Sequence, residues 1–285
     1  MKFPLTLGAV LLLASTVAMA GQGRLLATGG VTEIEGQAGG GIVPWAVISG
    51  YGTRDQTGGT AFISSVGTGD YTLTALGAAI GIDDRVEVSL AKQHLNLGTL
   101  GEMIGLPGES LRQEILGLKV RLFGNLLYTP GPQVSLGVQY KHNIDGAFVR
   151  SVGAQSNHGV DIYLAATKLF VAGVFGRDVL VSVDLRATKA NQIGLLGFGG
   201  DRGDGYDVEA EASLGLMLDP HTVIGIEYRR KPDNLGFARE NAWSDVFVAW
   251  FPSKSIALTA AYADLGSIAT LPDQQGFYLS VQATF

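Results

Sequence analysis

The last nine residues constrain the fold most. From Phe277 to Phe285, apolar Phe277, Leu279, Val281, Ala283 and Phe285 alternate with Tyr278, Ser280, Gln282 and Thr284. A period of two puts the two sets on opposite faces of a strand. An apolar outer face over a polar inner face, closed by an aromatic residue, is what a strand between lipid and a wet lumen requires. The chain therefore reads as all-β, a transmembrane up-and-down antiparallel β-barrel. Phe277, Leu279, Val281 and Phe285 are the candidate signal for the barrel-assembly machinery.

At the other end Lys2 precedes an apolar run from Leu5 to Val17, followed by Ala18-Met19-Ala20. This is the pattern of a secretory signal peptide over residues 1–20, cleaved near Ala20. The apolar run falls short of the roughly 20 residues a spanning helix needs. With no cysteine, the chain offers no thiol for acylation, disulfides or redox chemistry.

Mean hydropathy is positive, yet beyond the signal no apolar stretch approaches helical spanning length. Short alternating segments can cross a bilayer only in a closed sheet, where every backbone group is paired. The 41 glycines suit turns and close strand approaches, and 16% charged residues is low for a water-facing surface. A net charge of -6 argues against nucleic acid as a partner. The expected surroundings are outer-membrane lipid and lipopolysaccharide in a Gram-negative bacterium.

Alternation suggests about twelve strands over residues 45–285, the first at Trp45–Thr53 and the last at Gly276–Phe285. Tight turns are expected at Asp83-Asp84, Thr129–Pro132, Gly176-Arg177, Asp219–His221 and Pro252–Lys254. Long connections are expected at 54–70, 97–112, 144–158, 191–204, 231–241 and 265–275. Short turns face the periplasm and long loops face outside in barrels of this class, and an even strand count returns both ends to the periplasm. Residues 21–44 precede the barrel as a plug or a flexible periplasmic segment.

The inward positions carry Glu87, Lys119, Arg121, Lys141, Asp161, Asp184, Arg186, Asp207, Glu209, Glu211, Glu227, Arg229 and Asp245. The bases Lys119, Arg121 and Lys141 come from neighbouring strands and most acids from the opposite side. This predicts either a polar channel with a transverse field or a salt-bridge network that fills the barrel. Two long loops share a local echo, Leu196-Gly197-Phe198-Gly199-Gly200-Asp201-Arg202 and Leu235-Gly236-Phe237-Ala238-Arg239-Glu240. Phe198, Asp201, Arg202, Phe237, Arg239 and Glu240 are therefore candidates for a lid or a contact patch, each Phe reading as exposed.

No enzyme is expected. The four histidines, His94, His142, His158 and His221, lack the pairing that marks a nucleophile and its base. A loop-borne hydrolase built on His158 with Asp201 or Asp204 is the least favoured reading. Gly199–Asp204 lacks calcium-loop spacing, so no metal and no cofactor are expected.

The strings Ala27-Thr28-Gly29-Gly30-Val31-Thr32-Glu33-Ile34-Glu35-Gly36, Gly39-Gly40-Gly41-Ile42-Val43-Pro44-Trp45-Ala46, Leu195–Arg202 and Lys231–Glu240 resemble a family of uncharacterised Gram-negative outer-membrane barrels known only as a domain of unknown function (DUF3034-like). The resemblance implies an outer-membrane barrel and brings no activity with it. The resulting expectation is a narrow channel or transporter for small polar or charged solutes. The alternative is a closed barrel with a structural, surface-contact or export-accessory role.

Overall fold

The computed structural model describes residues 23–285. The signal peptide and its cleavage site lie outside the described residues. A two-stranded hairpin, β1 (Val31–Thr32) and β2 (Ala38–Gly39), precedes twelve longer strands. These are β3 (Thr57–Thr68), β4 (Thr72–Ile82), β5 (Val86–Asn96), β6 (Ser110–Phe123), β7 (Gln133–Asn143), β8 (His158–Val174), β9 (Arg177–Thr188), β10 (Asp207–Asp219), β11 (Thr222–Arg229), β12 (Trp243–Ser253), β13 (Ile256–Asp264) and β14 (Gln275–Thr284). Each pairs antiparallel with its chain neighbours, and β14 pairs with β3 to close the barrel. Gly59 and Phe285 exchange backbone hydrogen bonds of 2.7 and 2.9 Å at the seam, so no edge is left open.

The alternation read from sequence sets the faces. In β10, Glu209, Glu211 and Ser213 point inward and are buried, while Val208, Ala210 and Leu214 point outward. In β14, Phe277, Leu279 and Val281 stand exposed on the lipid face, where the expected assembly signal needs them. Among the described residues no helix is long and apolar enough to cross a membrane.

One strand lies elsewhere than expected. Trp45–Thr53 is not a strand, and β3 occupies Thr57–Thr68, inside the segment read as the first long loop. The physical reason is a mixed pattern. β3 turns Phe62 and Val66 inward beside Thr60 and Ser64 and leaves Ser65 and Gly67 outward beside Ala61 and Ile63, so neither face is uniformly polar or apolar and the barrel signature is lost. Trp45-Ala46-Val47-Ile48 is apolar because it is buried inside the lumen. The first outer connection is consequently short, residues 69–71. The turn after β6 is longer than read, because β6 ends at Phe123. The other outer connections are long, and two contain short helices, α1 (Gly98–Met103) and α2 (Gly146–Ser151).

Candidate functional site

The lumen is occupied by the chain itself. Arg24 anchors the N-terminal segment at the end of the barrel that carries the short turns. Its guanidinium donates to the carbonyls of Ile48 (2.9 Å) and Gly50 (3.3 Å), to that of Thr28, and to Asp84 (3.3 Å). From there the chain climbs the lumen, turns between β1 and β2, and returns along Ile42–Tyr51 to enter β3. Residues 29–51 are buried throughout.

The tip of this plug carries two acids, Glu33 and Glu35, both without solvent exposure. Glu33 folds back on its own turn and accepts the amide protons of Glu35 (2.7 Å) and Gln37 (3.2 Å). This satisfies groups that a tight irregular segment would otherwise bury unpaired. Gln139 on β7 also donates to it at 3.3 Å. Burial and the neighbouring Glu35 raise its carboxyl above the ordinary carboxylate range. Glu35 turns the other way, into a cluster of wall cations. It pairs with Lys141 of β7, with Arg229 of β11 at 2.8 Å, and lies 3.8 Å from Arg186 of β9. The cluster is completed by Asp161, 2.6 Å from Lys141, and by Glu211, 2.5 Å from Arg186 and 3.2 Å from Arg229.

Two further wall acids grip the plug backbone. Glu87 of β5 accepts from the amides of Ala38 (3.1 Å) and Ser49 (2.8 Å), and Lys119 of β6 donates to the carbonyls of Ala38 (2.8 Å) and Val47 (3.0 Å). Glu227 of β11 accepts from the amides of Gly41 (2.6 Å) and Ile42 (2.9 Å). A side chain at Gly40 would overlap that carboxylate, so the contact requires glycine there. The wall charges are thus taken up partly by one another and partly by the plug.

The opposite end is closed by the loop between β9 and β10, residues 189–206. Its 3-10 turn, Asn191–Gly194, dips into the barrel, with Gln192 and Ile193 at φ 44° and 58°. A β-branched residue in that region is a strained outlier held by its surroundings. The carbonyl of Ile193 accepts from Gln113 (3.2 Å) and Lys141 (3.3 Å), and Asn143 donates to the carbonyl of Leu195 (2.8 Å). Lys141 therefore touches the plug, the loop and the wall at once. From the next loop Lys231 donates to the Gln192 side chain (2.7 Å) and pairs with Glu240 (3.0 Å), which in turn accepts the Gln192 amide (3.0 Å).

The predicted site residues divide accordingly. Lys119, Lys141, Asp161, Asp184, Arg186, Glu209, Glu211, Glu227, Arg229 and Asp245 all face the lumen and are buried. Arg121 sits at the short-turn rim, paired with Asp84 at 2.6 Å, and Asp207 stands exposed at the far rim. Phe198, expected to be exposed, is fully buried against Gly159. Its loop folds inward, and an aromatic flanked by glycines reads as exposed only while that fold is unseen. The two echoing loops do meet: Gly236 donates its amide to Asp201 at 2.7 Å, and Arg202 pairs with Asp233 at 2.8 Å. Phe237 and Arg239 remain exposed, while Glu240 is drawn under the inward loop. His158 lies 3.3 Å from Ser156 Oγ, but Asp201 and Asp204 bond Gly236 and Lys189 instead. Among the described residues no group of acids and histidines is placed to hold a metal ion.

Glu33, Glu35 and Gln37 are buried lumen residues that the alternation of the strands does not single out. The signal available was an acid pair, Glu33-Ile34-Glu35, set in an otherwise apolar and glycine-rich stretch.

A family model described as a protein of unknown function (DUF3034) matches residues 28–282. The chain belongs to that family. The match begins within the plug, so plug and barrel are one family unit. No curated protein matches the chain. Among solved structures, a KdgM porin in complex with disordered oligogalacturonate aligns at a TM-score of 0.50 and 9% identity, covering 79% of this chain and 99% of its own. A NanC porin aligns at 0.48 and 8%, covering 80% and 98%. An outer-membrane channel, COG4313, from Pseudomonas putida F1 aligns at 0.45 and 14%, covering 87% and 99%. The first of these likenesses supports the fold alone, that of an outer-membrane β-barrel.

Proposed function

We propose that this protein is a gated outer-membrane channel for small polar or charged solutes, closed at rest from both ends. The N-terminal plug closes it from the short-turn side and the loop at 189–206 from the other. The observation that carries this reading is the way both closures are held. They rest on buried charges of the wall, with Lys141 common to both. A purely structural filler has no need of such contacts. A buried ion pair contributes little net stability compared with well-packed apolar side chains, because desolvating its charges offsets their attraction. Charges do serve a lumen that is wet part of the time. With both segments withdrawn, Lys119, Lys141, Arg186 and Arg229 would face Asp161, Asp184, Glu209, Glu211, Glu227 and Asp245 across water, as charged rings do in other pores. In this reading the barrel passes its solute unchanged and catalyses nothing.

The test is single-channel recording in planar bilayers. Three proteins are compared: the mature chain, a chain beginning at Gly52, and the Ala46→Cys/Ala165→Cys variant. Ala46 on the returning limb of the plug shares one small buried cluster with Ala165 of β8, and the chain has no other cysteine. The expected result is rare openings in the mature chain, long openings in the shortened chain, and none in the oxidised cysteine pair until reductant is added. Charge-neutral Lys119→Gln/Arg121→Gln/Lys141→Gln should then shift ion selectivity. Silence from all three proteins would sink the channel and leave a closed structural barrel.

A further inference from the structure

The inner face of the barrel changes character along its length. At mid-lumen β8 to β12 present Asp161, Arg186, Glu211, Glu227 and Asp245. Towards the short-turn end the same inward register presents Leu169, Leu180, Met217, Val223, Phe247 and Phe251. A barrel interior of this class is ordinarily polar. These residues and the plug, chiefly Leu26, Val31 and Trp45, enclose a cavity of about 540 Å³, rimmed by Arg177, Asp178 and Asp219. Its size falls within the range of small-molecule sites.

We propose that this cavity binds an uncharged, mostly hydrocarbon small molecule carrying a single hydrogen-bond acceptor, entering from the periplasmic side. Three observations fix that chemistry. The walls are apolar on every strand that contributes. The rim holds one base and two acids, so no surplus cation awaits an anionic head. Asp178 already accepts the amide of Ala172 at 2.9 Å, and Asp219 that of His221 at 2.7 Å. Lastly, Trp45 lines the cavity and is 5% exposed, yet its indole Nε1 has no hydrogen-bond partner. A buried indole N–H normally finds an acceptor, and a single acceptor on an otherwise apolar ligand supplies one.

The site needs the plug seated, because Trp45 belongs to it, but it does not need the channel to conduct. Binding and conductance therefore fail separately. The experiment uses the full mature chain in detergent with Trp243→Phe and Trp250→Phe, which leaves Trp45 as the only indole. The probe is 10-bromodecan-1-ol, whose bromine quenches indoles on contact. Saturable loss of Trp45 emission is expected. A companion chain keeping only Trp250, which faces lipid, should show a linear loss from partition into the micelle. Filling the cavity with Ala249→Phe, or separately with Val223→Phe, should remove saturation in barrels whose sheet content is unchanged by circular dichroism. Replacing the alcohol by 10-bromodecanoate should weaken binding about tenfold or more, since a single neutral indole N–H, with no surplus cation beside it, does not offset the desolvation of a full negative charge. A linear titration at Trp45 with the same slope as at Trp250 would overturn the site. Equal affinity for the carboxylate would overturn its assignment to an uncharged ligand.

Discussion

Glu35 is the point at which the closure can be broken with one neutral atom-for-atom change. In Glu35→Gln the side chain keeps its shape and loses its charge, and Lys141, Arg229 and Arg186 lose a shared partner inside a lumen with no solvent exposure. Removing one member of a buried pair costs roughly 3–5 kcal/mol, because the remaining charge is left uncompensated. Here the lower figure applies. Lys141 keeps Asp161 at 2.6 Å, and Glu211 still lies 2.5 Å from Arg186 and 3.2 Å from Arg229. A loss of about 3 kcal/mol weakens plug seating roughly 150-fold. The cost falls on the seated state alone, since in the withdrawn state the cations are in water. Open probability in planar bilayers should rise by a similar factor until it saturates. Glu35→Gln/Arg229→Gln, which removes a cation with the anion, should recover at least half of the seating energy, and the cycle isolates the pair from general disruption. Native open probability in Glu35→Gln, beside a chain beginning at Gly52 that conducts freely, would rule out Glu35 as a latch of the plug.

Other substitutions probe the remaining contacts. Gly40→Val should unseat the plug by driving Cβ into the Glu227 carboxylate, visible as new proteolytic cleavage between residues 24 and 52 in the folded barrel. Phe198→Ala leaves a cavity against Gly159 and should loosen the inward loop by about 3–5 kcal/mol, read as faster hydrogen exchange of residues 190–199 with no change around Glu35. Burial raises the Glu240 carboxyl above the ordinary carboxylate range, although Lys231 pulls it down. An acid whose pKa is raised in the docked state favours docking at low pH, and that contribution is lost as pH rises through the raised value. Protection of the 190–199 amides should therefore fall from acid towards neutral pH, and Glu240→Gln should flatten the dependence. Deleting Phe285, which packs on Gly59 at the seam, should lower the amount of folded barrel recovered from outer membranes.

Periodicity decides which side of the sheet a residue takes, and nothing about what stands on the far side of the lumen. That is why the inward set from Glu87 to Asp245 was legible residue by residue, whereas its chemical state was not. Lys119 and Glu227 alternate in the same way whether they meet water or the backbone of residues 38–42. The plug was ambiguous for a related reason. It is apolar at Val31, Ile34, Ile42 and Val43 because it is buried, glycine-rich at 39–41 because its returning limb crowds Gly39 and Glu227 crowds Gly40, and acidic because Glu33 caps its own turn and three wall cations await Glu35. A linker, a strand and a plug each share one of those traits. The same burial made Trp45–Thr53 read as a lipid-facing strand and hid β3, whose outward Ser65 and Gly67 give no apolar stripe. The most informative signal is Glu35: a buried carboxylate that does not fold back on its own backbone requires cations, and Lys141, Arg186 and Arg229 of the wall supply them. On the wall, Lys141, Arg186 and Arg229 share Asp161 and Glu211, and Glu35 is the third acid that balances them, so a local shortfall of acid in a lumen-facing cluster is grounds to look for an acidic segment that enters it.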